Sequence, residues 1–208
     1  RRFFGLRPES TVVLVVGGSQ GALAINQALL GALERVAGPE TDDTGRAAWR
    51  VAGGDRPGDL EILWATGPSH IEPIRTRLEA ADVADWVHAV GYIDAMPKAL
   101  AAADLAVSRA GAMGTAELLA WGVPSILVPL PTAAADHQTH NARALEEAGA
   151  AVAVPQKELT PGRLWSEITE LATDADRRSR MSARALERAR PDAARRIADD
   201  LLRLVEAA

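Results

Sequence analysis

Residues 12–30 read "VVLVVGGSQGALAINQALL", and the period of the apolar positions changes halfway through. Val12 to Val16 are an unbroken aliphatic run, as in a strand buried on both faces. After Gly17-Gly18-Ser19-Gln20-Gly21, residues Leu23, Ile25, Ala28, Leu29, Ala32 and Leu33 recur at helical spacing. A strand therefore enters a glycine turn and leaves as a helix. Such a turn brings backbone N–H groups close to an anion, and the helix behind it adds the positive end of its dipole. Ser19 adds a hydroxyl. No Lys-Ser/Thr pair follows, so this is not a triphosphate loop, and the spacing also misses the dinucleotide pattern G-x-G-x-x-G. The plain alternative is a turn that only lets the helix pack on its strand.

Beyond this unit, strand-like and helical runs alternate, the pattern of a parallel sheet covered on both faces. Strands are expected at Val12–Val16, Ile62–Ala65, Trp86–Val90, Leu105–Ser108, Ser125–Val128 and Ala151–Val154. Helices are expected at about 22–36, 70–81, 95–102, 113–121 and 137–148, with Asp94 and Asp136 as N-caps and Gly149 as a C-terminal stop. The last 50 residues read as helices only: Thr160-Pro161 caps one, and Asp192 opens a final amphipathic helix through Ile197, Leu201, Leu202 and Val205. Residues 38–59 are rich in Gly, Pro, Asp and Arg, too long for a tight connection, and read as a flexible surface insertion with room for a short hairpin around Trp49-Arg50-Val51.

Composition narrows the function classes. The chain has 208 residues, the size of one ordinary α/β domain, and a net charge of −5, which argues against a nucleic-acid surface. Cysteine is absent, which excludes thiolate catalysis and cysteine zinc sites. No apolar run approaches the roughly 18–20 residues that span a bilayer. The chain opens Arg1-Arg2-Phe3-Phe4 without an initiator methionine and reads as a piece of a longer protein.

Two further clusters fall at strand ends, where open parallel sheets bind ligands. In "VSRAGAMGTAELLAWGVP" (107–124) a strand again runs through small residues into a helix. Glu117, near that helix's first turn, either caps it or takes the two hydroxyls of a ribose. In "PTAAADHQTHNARALEEAG" (131–149), Asp136, His137, Gln138 and Asn141 crowd a helix start, which suits either a sugar's hydroxyls or an ordinary cap. His137 and His140 lack a third metal ligand, and Asp174-Ala175-Asp176 lies between terminal helices, so no metal site is expected. No cofactor is implied, and no nucleophile elbow is present.

The stretches "VLVVGGSQGALAINQAL", "GYIDAMPKALAAADLAVSRAGAMGTAEL" and "GVPSILVPLPTAAADHQTHNARALEEAGAA" resemble, in order and spacing, the carboxyl-terminal half of the MurG family. These are the UDP-N-acetylglucosamine transferases of peptidoglycan lipid synthesis, in glycosyltransferase family 28. The resemblance runs from about Phe3 to the final helix. It implies one half of a GT-B fold, a Rossmann-like parallel sheet of about six strands with helices on both faces and extra C-terminal helices. In this reading residues 1–208 form the nucleotide-sugar domain. The absent amino-terminal half would hold the lipid-linked acceptor, a patch for the cytoplasmic face of the inner membrane and the catalytic base.

By position, the resemblance implies that Gly17, Gly18, Ser19, Gln20 and Gly21 meet the diphosphate of UDP-N-acetylglucosamine. Ile93 would read the uracil through its backbone. Arg109, Gly111, Ala112, Met113 and Gly114 would line the donor pocket, and Glu117 would hold the ribose. His137, Gln138 and Asn141 would face the sugar. The family commonly has Thr where this chain has Gly114, and position 137 is often Gln. Other GT-B proteins share this half: diacylglycerol glycosyltransferases, UDP-sugar epimerases, and donor-binding subunits that work with a separate acceptor subunit.

Overall fold

The computed structural model describes residues 1–18, 21–36 and 56–206. Six parallel strands form one sheet: β1 (Thr11–Val16), β2 (Leu60–Ala65), β3 (Val87–Val90), β4 (Leu105–Ser108), β5 (Ser125–Leu127) and β6 (Ala151–Ala153). Their order is β3-β2-β1-β4-β5-β6, so the winding reverses between β1 and β4. That is the order of the dinucleotide-binding Rossmann folds, in which ligands sit beyond the strand ends at the reversal. The helices are α1 (Leu23–Val36), α2 (Ile71–Ala80), α3 (Met96–Ala102), α4 (Ala112–Ala120), α5 (His137–Glu147), α6 (Pro161–Thr173), α7 (Ala175–Arg188) and α8 (Ala193–Glu206).

Side chains alternate across the sheet and divide the core in two. Val13, Val15, Ile62 and Trp64 pack in a cluster with Leu29 and Leu33 of α1 and Trp165 and Ile168 of α6. Leu14, Leu63 and Ala106 face the other way, in a cluster with Leu100 of α3, Leu118 of α4 and Ala142 of α5. The expected strands are all present, with small shifts at the ends. Trp86 lies before β3 because its N–H turns back to Val83 O, while its ring packs edge-on against Trp165 at 6.2 Å.

The caps differ from expectation in part. Thr160 and Asp174 cap α6 and α7, accepting from the N–H of Arg163 and Arg177 at 3.1 and 2.7 Å. Asp94 does not cap α3; the chain turns one residue later, and Ala95 holds the cap position. Asp136 holds the cap position of α5, but its carboxylate takes the Thr139 hydroxyl at 2.6 Å instead of a backbone N–H. Gly149 follows the C-cap of α5 as expected. Residues 38–55 of the expected insertion, with the Trp49 hairpin, lie outside the described residues. Residues 56–59 lead into β2, and the Arg56 guanidinium stacks 4.6 Å over Trp86. No described helix is long and apolar enough to cross a membrane.

Candidate functional site

At the reversal between β1 and β4 lies a cavity of about 330 Å³. Val16 and Gly18 reach it from the end of β1, Gly91 to Asp94 from the end of β3, and Ser108 and Arg109 from the end of β4. Gly111, Gly114 and Glu117 close it from α4. The volume is within the range of small-ligand sites.

The glycine turn divides its labour. A Cβ on Gly17 would lie 2.4 Å from Ala22, and one on Gly21 would lie 2.0 Å from the Thr66 carbonyl oxygen. Those two glycines let α1 close onto the sheet, as the plain reading of the turn requires. Gly18 differs: its φ is 96°, nothing stands within 4 Å of a Cβ built there, and it lines the cavity. Ser19 and Gln20 lie outside the described residues.

Among the described residues, neither Arg109 nor Glu117 in the cavity forms an ion pair. Arg109 donates to the carbonyls of Val128 and Pro129, both at 3.1 Å, and among the described residues it faces no carboxylate. Burial pushes its pKa down from the ordinary arginine value. A cation held by carbonyls in a half-buried wall gains from an incoming anion. α4 starts at Gly111 with no side chain over its end, leaving its first N–H groups unbound by a cap. α4 begins one residue earlier than expected, which places Glu117 in its second turn, too deep to cap the helix. Its exposed carboxylate lines the cavity and accepts no hydrogen bond among the described residues.

Ile93 is buried, with 3% of its surface exposed, so its side chain belongs to the core. Among the described residues no partner is found for its backbone N–H, which remains able to meet a ligand, while the chain turns at Asp94 and Ala95 directly after it. Ala112 and Met113 occupy the first turn of α4 beside the cavity, and Met113 is largely exposed.

The third predicted group is only adjacent. Gln138 Oε1 accepts from the Leu130 N–H at 3.0 Å, and Asn141 Nδ2 donates to the Ala110 carbonyl at 3.0 Å. These amides fasten the loop before α5 to the loop before α4. His137 Nδ1 lies 2.8 Å from the Ala134 carbonyl and faces solvent. None of the three lines the cavity, although Gln138 Nε2 stands 4.0 Å from a Cβ built on Gly111. Nine lining residues were not singled out as ligand contacts, among them Tyr92, Asp94, Met96 and Ser108. Ser108 carried a signal, since it is the polar end of an otherwise apolar strand directly before Arg109. Among the described residues, no group of three or more His, Asp or Glu side chains is placed to hold a metal.

Known proteins are similar to this chain in sequence and fold. A Salinibacter ruber protein named UDP-N-acetylglucosamine--N-acetylmuramyl-(pentapeptide) pyrophosphoryl-undecaprenol N-acetylglucosamine transferase is 41% identical over 99% of this chain and 50% of its own length. The Moorella thermoacetica protein of the same name is 39% identical over 99% of this chain and 52% of its own. The chain thus spans about half the length of the curated relatives it matches. The crystal structure of Acinetobacter baumannii MurG superposes with a TM-score of 0.74 at 28% identity, over 94% of this chain and 52% of that one. A UDP-N-acetylglucosamine 2-epimerase covers the chain with a TM-score of 0.64 at 16% identity and 47% of its own length, a likeness of fold alone. The model of the glycosyltransferase family 28 C-terminal domain matches residues 12–197, from the first strand into the last helix, and the chain belongs to that family.

Proposed function

We propose that this chain is the donor-binding half of a transferase that moves N-acetylglucosamine from its UDP ester onto lipid-linked muramoyl pentapeptide. The observation that carries the reading is one cavity at the sheet's reversal holding both the Arg109 guanidinium, bonded only to carbonyls, and the Glu117 carboxylate, neither in an ion pair among the described residues. A nucleoside diphosphate matches both: its ribose diol donates to the carboxylate, and its phosphates meet the guanidinium, the Gly18 turn and the start of α4. The backbone N–H of Ile93 suits the uracil edge. The relatives' names supply the sugar and the acceptor.

In the proposed reaction an acceptor hydroxyl attacks the anomeric carbon, the bond from that carbon to the diphosphate oxygen breaks, and UDP leaves with the negative charge. Arg109 and the helix start lower the barrier by holding that charge. The base and the acceptor belong to the half of the relatives' length that this chain does not span. The full protein then works at the cytoplasmic face of the membrane, where its lipid-linked acceptor lies.

The chain should therefore bind UDP and UDP-N-acetylglucosamine yet transfer nothing. Positioning an acceptor hydroxyl against the anomeric carbon is worth roughly 7–11 kcal/mol, and the described residues supply no opposing wall. Labelled donor and lipid-linked acceptor test this: product at the rate of a complete enzyme would place the acceptor machinery within these residues. Absence of UDP binding would refute the site.

A further inference from the structure

We propose that Asn26 is a positioning residue for the donor site: its side-chain amide pins the Thr66 carbonyl onto which Gly21 closes, and so fixes Gly21 and, through it, Gly18 at the cavity edge. The proposal rests on the donor reading of the cavity. Asn26 sits on the first turn of α1, only 4% exposed, with buried Ile25, Leu29 and Leu30 around it on the helix. An apolar residue would suit that stripe, so a buried amide needs a reason.

Its bonds supply one. Asn26 Nδ2 donates to the Thr66 carbonyl at 2.7 Å, and Asn26 Oδ1 accepts from the Trp64 indole N–H at 3.1 Å. An indole only donates and a carbonyl only accepts, so the amide has one orientation. Thr66 is fully buried at the end of β2. Its N–H and hydroxyl both donate to the Val90 carbonyl, at 2.9 and 3.2 Å, and the Gly67 N–H donates to Gly91 at 3.0 Å. From Gly91 the chain runs directly to Ile93 in the cavity wall.

The same Thr66 carbonyl occupies the place a Gly21 Cβ would need, and the Gly21 N–H turns back to Gly18 O at 2.9 Å. One buried amide therefore links the turn after β1 to the wall after β3. Glycines lose more freedom on ordering than other residues, and a turn frozen only on binding gives up affinity. A turn already closed on a pinned carbonyl loses less.

Amide hydrogen exchange and UDP titration on the 208-residue chain test the assignment. Asn26→Ser removes the reach to Thr66. Asn26→Asp keeps the size and the acceptor for Trp64 but loses the donor, and serves if the first variant does not fold. Either should raise exchange at the Gly21 N–H at least tenfold and weaken UDP at least fivefold, with α6 amides unchanged. Ile168→Val, a core change on α6, should lower the melting temperature with neither effect. If the Asn26 variants only lower the melting temperature, leaving Gly21 exchange or UDP affinity as in the wild type, the proposal is overturned. If the wild type binds no UDP, the donor reading fails, and exchange at Gly21 alone decides whether Asn26 holds the turn.

Discussion

Gly114 lies in the first turn of α4 against the cavity, and a Cβ built there would meet only the Ser108 hydroxyl, at 3.9 Å. The site therefore has room for the threonine common in the family, and the chain forgoes a hydroxyl there while keeping the backbone N–H. Two residues just before α5 are less comfortable. Ala135 and Asp136 both take left-handed conformations, with φ of 49° and 53°. For a residue with a Cβ this costs on the order of 1 kcal/mol, and Asp bears it better than Ala. Ala135→Gly should raise the unfolding free energy by about 1 kcal/mol, read as a higher urea midpoint at unchanged m-value. An unchanged midpoint would mean the strain is already relieved by the neighbouring bonds of His137 and Thr139.

Between elements, the most consequential polar contact lies at the opposite end of the sheet from the cavity. Glu61 of β2 is 2% exposed, yet it accepts from the Arg7 N–H at 2.8 Å and the Arg7 Nε at 3.1 Å. His88 Nε2 stands 3.7 Å away on β3, and Arg56 is also near enough to favour the charge. Burial opposes ionisation of Glu61, but the Arg7 bonds outweigh it and hold its carboxyl below the ordinary value of 4.5. A depressed folded pKa means that the contribution is complete above the unfolded pKa. It is lost as pH falls through the folded one. Glu61→Gln should cost about 1.5–3 kcal/mol near neutral pH, the worth of hydrogen bonds to a charged group. Denaturation curves should show that gap closing as pH falls below the ordinary carboxylate range, once the wild type is protonated too. A gap independent of pH would assign the loss to packing.

Elements with a strong local signal were legible beforehand. The aliphatic run of β1, the helical period of α1 and Thr160-Pro161 at the start of α6 each state their conformation in neighbouring residues. Strand order and the two-cluster core were not, because pairing joins segments far apart in sequence. Nor was the helix register that carries Glu117 out of capping range.

At the scale of the molecule, α8 shows how a correct local reading can miss its context. The sequence predicts an amphipathic helix, and the helix forms, but Ile197, Leu201, Leu202, Leu204 and Val205 on it are 58–75% exposed. Periodicity tells which face is apolar and not what covers it. The candidate site divided in the same way. Gly18, Arg109, Gly111, Gly114 and Glu117 converge on one cavity because they follow β1 and β4 at the reversal of the sheet, and Ile93 reaches it from the end of the edge strand β3. His137, Gln138 and Asn141 also follow a strand, but β5 lies beyond β4, and two of their amides are spent on loop carbonyl and N–H groups. Local sequence shows that a polar helix start exists; only the folded contacts show that its amides are already spent.

Glu117 carries the central claim, since it is the one unpaired carboxylate of α4 in the cavity wall and too deep to be a cap. Calorimetric titration of UDP into the wild type and Glu117→Ala measures its role directly. Loss of a hydrogen bond to a charged group is worth about 1.5–3 kcal/mol, so the dissociation constant should rise roughly ten- to hundredfold while the melting temperature stays near that of the wild type. Equal affinity in the two folded proteins would contradict the placement of a nucleotide in this cavity.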